Sequence, residues 1–294
     1  MALDRAVVAL TYAVAGIAAW AVAVTVGGPP LLVTLVADLA ATVVVFVASL
    51  IVGNASLYDP YWSVAPPVIA VVWLSGPLTV RQVALLVVMV AWAVRLTANW
   101  AAGWRGLSHE DWRYVQLRAQ RPSWLPFWLV SLVGIQVMPT LVVFAAMLPV
   151  WPALTVTGRG WGLLDSAAVV VGAGAVVLEA VADRQVRRFT ADPANRGRVL
   201  DRGLWRHSRH PNYLGEIMFW WSMWLFALAA APGWWWTVAG PVAMVLLFLF
   251  VSVPLMDRRS LQRRPGYAEY LRRTPALLPT SRFRPAPPTA SRHS

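Results

Sequence analysis

A succession of apolar runs, each close to the roughly 20 residues a helix needs to cross a bilayer, constrains this chain more than any other feature. The runs cover 6–26, 31–52, 82–102, 124–150, 162–182, 215–231 and 234–255, and an eighth, 61–78, is interrupted by Pro66 and Pro67. Hydrocarbon offers no partner for backbone N–H and C=O groups, so segments of this length satisfy them internally as helices. The chain has 294 residues, 59% of them hydrophobic and only 13% charged, which leaves too little polar surface for a water-soluble domain. An all-α, polytopic integral membrane bundle of seven to eight transmembrane helices is expected. The first run follows Asp4 and Arg5 without a cleavage site and reads as a span, not a removed signal.

Arginine placement sets the expected topology. Arg105, Arg113, Arg118 and Arg121 share one loop, Arg184 to Arg209 another, the tail from Arg258 a third, and Arg5 opens the chain. Arg81 and Arg159 fall in the opposite set of loops, while Arg95 lies within a span. With eight crossings every arginine-rich segment shares a face, which the positive-inside rule makes cytoplasmic, with both termini inside. Without a crossing at 61–78 the N-terminal half inverts. The integral protein is expected in a bacterial inner membrane, its site facing the cytoplasm.

The net charge of +12 is shared between membrane contact and a site. The tail 258–273 suits anionic headgroups. The mixed-sign loop 184–209 suits a pocket better. Charge dispersed between spans, with no recognised module, excludes nucleic acid as the expected partner. Cysteine is absent and His109 has no ligand spacing around it, so no metal is expected. Gly172 and Gly174 are expected to permit close helix packing.

Two constellations carry the functional signal. In 201–216, DRGLWRHSRHPNYLGE, Arg206, Arg209, His210 and Asn212 precede an apolar run, with Pro211 placed to open a helix. A helix starting there presents free N–H groups to an anion, and arginine forks match phosphate oxygens. Glu216 sits one turn inside, where a free carboxylate is expensive, and suits a carboxamide, a ribose hydroxyl or an arginine. In 179–189, Glu179, Asp183 and Arg187 recur every four residues and form one polar stripe, whose opposite charges can also pair along the helix. Convergence of the two constellations makes a polar pocket.

The motifs E-x-x-x-D-R-Q-x-x-x-F (179–189), GLWRHSRHPNYLGE (203–216), GYAEYLRRTPALLP (266–279), NASLYDPYWSVAP (54–66) and HEDWRY (109–114) together resemble the DUF1295 family of membrane proteins. That family is related to the C-terminal domain of steroid 5-alpha-reductases. R-H-P-N-Y alone is also similar to isoprenylcysteine carboxyl methyltransferases. The resemblance implies a membrane domain over 54–279, after N-terminal helices in 1–53 and before a disordered tail at 280–294. It implies an NADPH-dependent reductase acting on the C=C of a lipophilic steroid-like, isoprenoid or fatty enone. Asn212 and Glu216 match the reductases' nicotinamide contacts, and Glu179, Asp183 and Arg187 match their polar stripe, with Glu in place of the first Asn. Arg206, Arg209, His210, Tyr213 and Tyr270 complete the implied cofactor set. The reductases' substrate-polarising Glu and Tyr are missing here: Ser63 to Pro66 follow Trp62, and 82–102 has no Tyr. Asp59, Tyr61 and Arg95 are the nearby polar substitutes, with Asp59 and Tyr61 expected to be catalytic. Methyl transfer from S-adenosylmethionine and non-catalytic binding of a cofactor or lipid are the alternatives.

Overall fold

The computed structural model describes residues 2–278, all helix and connecting loop with no strand among the described residues. In chain order the helices are α1 (Ala2–Thr25), α2 (Pro30–Val52), α3 (Tyr61–Val72), α4 (Val80–Gly103) and α5 (Trp112–Gln120). They continue as α6 (Phe127–Met147), α7 (Val150–Thr155), α8 (Leu163–Ala191), α9 (Pro211–Ala230), α10 (Pro232–Arg263) and α11 (Tyr267–Arg273). Seven of these, α1, α2, α4, α6, α8, α9 and α10, are long and apolar enough to cross a membrane. The chain is a polytopic helical bundle. The tail expected at 280–294 lies outside the described residues.

The eighth run forms a helix too short to span, which leaves the lower of the two expected counts. Its helix, α3, has 12 residues and stops at Val72; at 1.5 Å per residue it is about 18 Å long, short of a hydrocarbon core of roughly 30 Å. Pro66 and Pro67 remove two donors from its ladder, and Gly76, at φ 71, turns the chain that follows. The segment nevertheless traverses the bundle. Trp73 Nε1 donates to Thr34 Oγ1 at 3.0 Å near the start of α2, and Thr79 caps α4 at that same end.

Hydrogen bonds between loops show which segments share an end. At one end Asp4 accepts from the Leu107 N–H, Asn54 donates to the Leu107 and His109 carbonyls, and Ser56 accepts from the Asp111 N–H. Trp205 donates to the Ala182 carbonyl there, Arg209 pairs with Asp257, and Arg259 lies 3.6 Å from the Trp112 ring centroid. The arginine-rich segments therefore gather at one end, as an even number of crossings requires. At the other end Arg81 grips Asp165 with two bonds, at 2.6 and 3.0 Å, and reaches the Arg159 and Gly160 carbonyls.

The core lies among α4, α6, α7, α8 and α9, where Trp92 stacks on Phe219 at 4.3 Å and Met147, Leu154, Trp220, Met223 and Phe226 are buried. α8 and α9 pack closely because a glycine stands at the contact. A Cβ on Gly215 would collide with Glu179 Cγ and stand 3.0 Å from the Ala175 carbonyl oxygen. Gly172 likewise faces Val88 and Ser222, whereas Gly174 meets nothing, so only the first of the expected pair serves packing. α1 rests on α2 and exposes Leu10, Ile17 and Trp20, an arrangement suited to lipid.

Two helices carry π-turns, Ser131–Val137 in α6 and Phe248–Ser252 in α10. Each precedes a proline by two residues, Pro139 and Pro254. A proline has no N–H and crowds the carbonyl four residues back, so the ladder before it widens.

Candidate functional site

Between α4, α6, α8, α9 and α10 lies a cavity of about 290 Å³, lined also by Trp62 of α3 and by Arg113 and Tyr114 of α5. Both π-turns line it, through Gly134 and Ile135 on one side and Phe248, Val251 and Ser252 on the other. Most of its walls are apolar, including Met138, Val143, Met244 and Leu247. Two polar patches interrupt them.

The first patch is built around Arg95, the arginine inside α4. Its guanidinium pairs with Glu179 and, at 3.0 Å, with Asp183, and Glu216 Oε2 lies 3.7 Å away. Glu179 and Asp183 are one turn apart on α8, and Glu216 sits in the second turn of α9, which begins at Pro211. Both Glu216 oxygens accept indole donors, from Trp92 at 2.9 Å and Trp220 at 3.0 Å. Glu179 is only 1% exposed and its Oε1 has no hydrogen-bond partner. Arg187 is exposed and donates to Asn99, another lining residue, so neither Asp183 nor Arg187 pairs along the stripe. Asn212 and Tyr213 complete this side; the Tyr213 ring lies parallel to His210, 5.1 Å between centroids.

The second patch is carried by α5. Tyr114 donates its O–H to Asp59 at 2.5 Å, and Arg113 lies 3.4 Å from the same oxygen while bonding Asp111 at 2.8 Å. Burial pushes the Asp59 carboxyl up to about 6, against the pull of Arg113 and the Tyr114 hydrogen bond. Burial also drives the Tyr114 phenol well above its ordinary value, and the Asp59 charge adds to this. Asp59 is not in the lining; it acts on the cavity through Tyr114 and Arg113.

Several expected residues stand elsewhere. Tyr61 donates to Asp38 Oδ1 at 2.6 Å, stacks on Tyr58 and lines a separate small void behind Trp62 and Val143. Its hydroxyl is committed to a carboxylate in α2, which corrects its expected place over the pocket. Arg209 is consumed by Asp257 at 2.9 Å and by the Leu271 and Thr274 carbonyls, while its N–H bonds the Pro275 carbonyl. His210 bonds Asp257 at 3.0 Å and Tyr267 adds a third contact to that carboxylate at 2.5 Å. Tyr270 donates to the Trp205 carbonyl. Arg209, His210 and Tyr270 thus fasten the C-terminal segment to the turn before α9, outside the cavity. Arg206 is exposed and also outside it.

The cavity therefore collects Glu179, Asp183, Asn212, Tyr213 and Glu216 from the expected set. It includes Arg95, expected only as a nearby polar substitute, and adds Trp92, Trp220, Arg113 and Tyr114, which sequence reasoning did not place there. The available signals were a lone arginine within an apolar run and a Tyr in H-E-D-W-R-Y.

A family model described as "Protein of unknown function (DUF1295)" matches residues 45–274, well over half of the chain. The chain belongs to the DUF1295 family. An uncharacterized protein of Schizosaccharomyces pombe is 28% identical over 243 residues, covering 74% of this chain and 70% of its own. No solved structure matches. The whole cavity and most of the clamp around Asp257 fall inside the DUF1295 match, while α1 and most of α2 precede it.

Proposed function

We propose that this DUF1295 protein is a membrane-embedded oxidoreductase that uses NADPH to reduce the C=C of a lipophilic enone. The observation that carries the reading is the pairing of two unlike polar patches across one apolar cavity. One offers acceptors and a carboxamide, the other a phenol backed by a buried carboxyl. At about 290 Å³ the cavity is too small for a dinucleotide together with a lipid, so only reacting ends meet inside it.

The residues present fit the nicotinamide end of the cofactor. Asn212 suits a primary carboxamide, and Glu179, Asp183 and Glu216 form the acid wall beside it. Among the described residues Arg95 and Arg113, the cations in the lining, are engaged by carboxylates, and exposed Arg187 and Arg206 at the arginine-rich end would hold the phosphates. When bound, NADPH supplies a hydride. Tyr114 Oη holds the substrate carbonyl oxygen and gives it hydrogen-bond support as charge develops there. Tyr114 Oη then passes its proton to the enolate oxygen, and Asp59, 2.5 Å behind and protonated for this step, replaces it. The enol so formed ketonises after release, by taking a proton from water at the carbon beside the carbonyl. Trp62, Met244 and Leu247 keep water from the reacting carbons. The positive-inside rule puts the arginine-rich end in the cytoplasm, of a bacterial inner membrane in this reading, and the substrate arrives through the bilayer.

Methyl transfer from S-adenosylmethionine is a second reading. It is favoured by the excess of carboxylates in an aromatic-lined wall, which suits a sulfonium. Calorimetric titration of the protein in nanodiscs with NADPH and with S-adenosylmethionine separates them. The reductase reading expects NADPH to bind and Asn212→Ala with Glu216→Ala to weaken it at least about tenfold, the size of one lost buried charge-assisted bond. Binding of S-adenosylmethionine alone would sink it.

A further inference from the structure

α6 and α10 meet at one end and part toward the other. Away from the arginine-rich end they touch backbone to backbone, since a Cβ on Gly240 would collide with the Ala145 carbonyl. Toward the arginine-rich end the two π-turns stand on opposite sides of the cavity, and each brings an exposed residue into its lining, Gly134 on α6 and Val251 on α10. Packing does not explain Gly134. Glycine is a poor helix former, and a Cβ at this position would meet nothing within 4 Å, so what the missing side chain leaves is open space at the cavity edge. The neighbouring Val133, Leu249 and Phe250 are exposed and apolar, as a lipid-facing surface is in a membrane bundle. Gly134 lies seven residues inside α6 from Phe127, and Val251 seven residues before Arg258, each about 10 Å at 1.5 Å per residue. That depth is among acyl chains, not headgroups. α5 bridges the gap above: its Trp112 ring centroid lies 3.6 Å from Arg259 of α10, and its Arg118 lies 4.0 Å from the Phe127 ring centroid of α6. Beneath α5, Tyr114 shares a buried cluster with Ile135, the residue next to Gly134.

We infer that the gap between the two π-turns is a mouth of the cavity onto the bilayer, and that the substrate is a chain-bearing membrane lipid that enters there head first. Its carbonyl reaches Tyr114 while its chain stays between α6 and α10. The cavity is too small to take a whole lipid beside a nucleotide, so the chain needs an apolar way out, and Gly134, Met138, Val251 and Leu255 provide one. The polar lining comes to the surface elsewhere, at Asn99, which accepts a hydrogen bond from exposed Arg187. A water-borne ligand has that side to use. The place of the carbonyl rests on the role proposed above for Tyr114; the mouth itself does not depend on which nucleotide enters.

The chain has no cysteine, so a single introduced thiol reports on the cavity alone. Met244, buried and in the lining, is replaced by Cys in the full-length protein in phosphatidylcholine vesicles, with Val143→Cys as the second site if that variant does not fold. Two reagents are compared by mass spectrometry. N-dodecylmaleimide carries a conjugated C=C at the head of a chain held in the bilayer, and a trimethylammonium methanethiosulfonate stays in water. The maleimide is expected to modify the thiol, and Gly134→Trp to slow it at least about tenfold, since an indole filling the gap leaves no room for a chain in a close-packed wall. The water-borne reagent should keep its rate, and Gly134→Ala should leave both rates unchanged. Val251→Trp serves if Gly134→Trp does not fold. Modification by the maleimide that neither tryptophan slows overturns the inference. So does a thiol open to the water-borne reagent alone, or slowing of both reagents alike. Failure of NADPH to bind would remove the reductase reading and leave the difference in rates standing, so the two fail separately.

Discussion

Replacing Asp59 by Asn removes a carboxyl outside the spans that contacts two residues of the cavity lining, Tyr114 and Arg113. Asp59 titrates near 6 in the fold against an ordinary value of 3.8, because burial outweighs Arg113 and the Tyr114 hydrogen bond. Arg113 counters burial weakly for a geometric reason. It stands 3.4 Å from Asp59 and is bonded at 2.8 Å to Asp111, so its charge is shared. A rise of about two units corresponds to about 3 kcal/mol at 1.36 kcal/mol per unit. The folded state holds this proton more tightly than the unfolded chain does. The contribution to stability is therefore full below pH 3.8, is lost as pH rises through 6, and is absent above.

Thermal unfolding in nanodiscs, followed from pH 3.5 to 8 for wild type and Asp59→Asn, isolates this effect, since distant carboxyls cancel in the difference. The advantage of wild type over the Asn variant should shrink by about 3 kcal/mol, several degrees in Tm, across that window and be flat outside it. The Tyr114 hydrogen bond reverses over the same range. Below 6 the Asp59 O–H can donate to Tyr114 Oη, and the phenol proton is free for a ligand. Above 6 the phenol proton is held by Asp59. A difference curve that is flat, or that rises with pH, would show that Arg113 governs Asp59 and would refute the argument.

Gly215→Ala should lower stability by about 1–3 kcal/mol and weaken ligand binding, because the new methyl displaces Glu179, whereas Gly174→Ala, which meets nothing, should be neutral or slightly stabilising. Melting temperatures and nucleotide titrations of the two variants check this. Arg81→Ala should cost about 3–5 kcal/mol by stranding buried Asp165, and adding Asp165→Ala should recover much of the loss. Unfolding of the single and double variants in nanodiscs decides it.

The spans were legible because hydropathy over about 20 residues reports bilayer length directly, and α9 begins at Pro211, where the sequence places it. α3 was only half legible. Its apolar run continues to Leu78, but hydropathy does not register the donors lost at Pro66 and Pro67 or the turn at Gly76. The π-turns left a trace only in Pro139 and Pro254, which also read as ordinary kinks. The clamp was misread for a different reason. Arg209 and His210 sit beside a helix N-terminus that suits phosphate, and nothing local reveals that Asp257, 48 residues on, reaches them first.

A polar residue in an apolar run announces that it needs a partner without saying which. Glu179, Asp183 and Arg187 look self-sufficient along one helix, since spacing of four permits pairing. Cross-helix geometry wins because Arg95 is largely buried beside Glu179, Asp183 and Glu216, while Arg187 is exposed and can satisfy itself in water. Desolvation therefore ranks the competing cations. The buried arginine claims the buried carboxylates, and the exposed one is left for Asn99. One guanidinium has one fork, however. With Glu179 and Asp183 on it, Glu216 falls back on two indole donors, and one Glu179 oxygen has none. The same convergence that assembles the cavity thus leaves one carboxylate oxygen and two guanidinium nitrogens buried beside each other without hydrogen bonds.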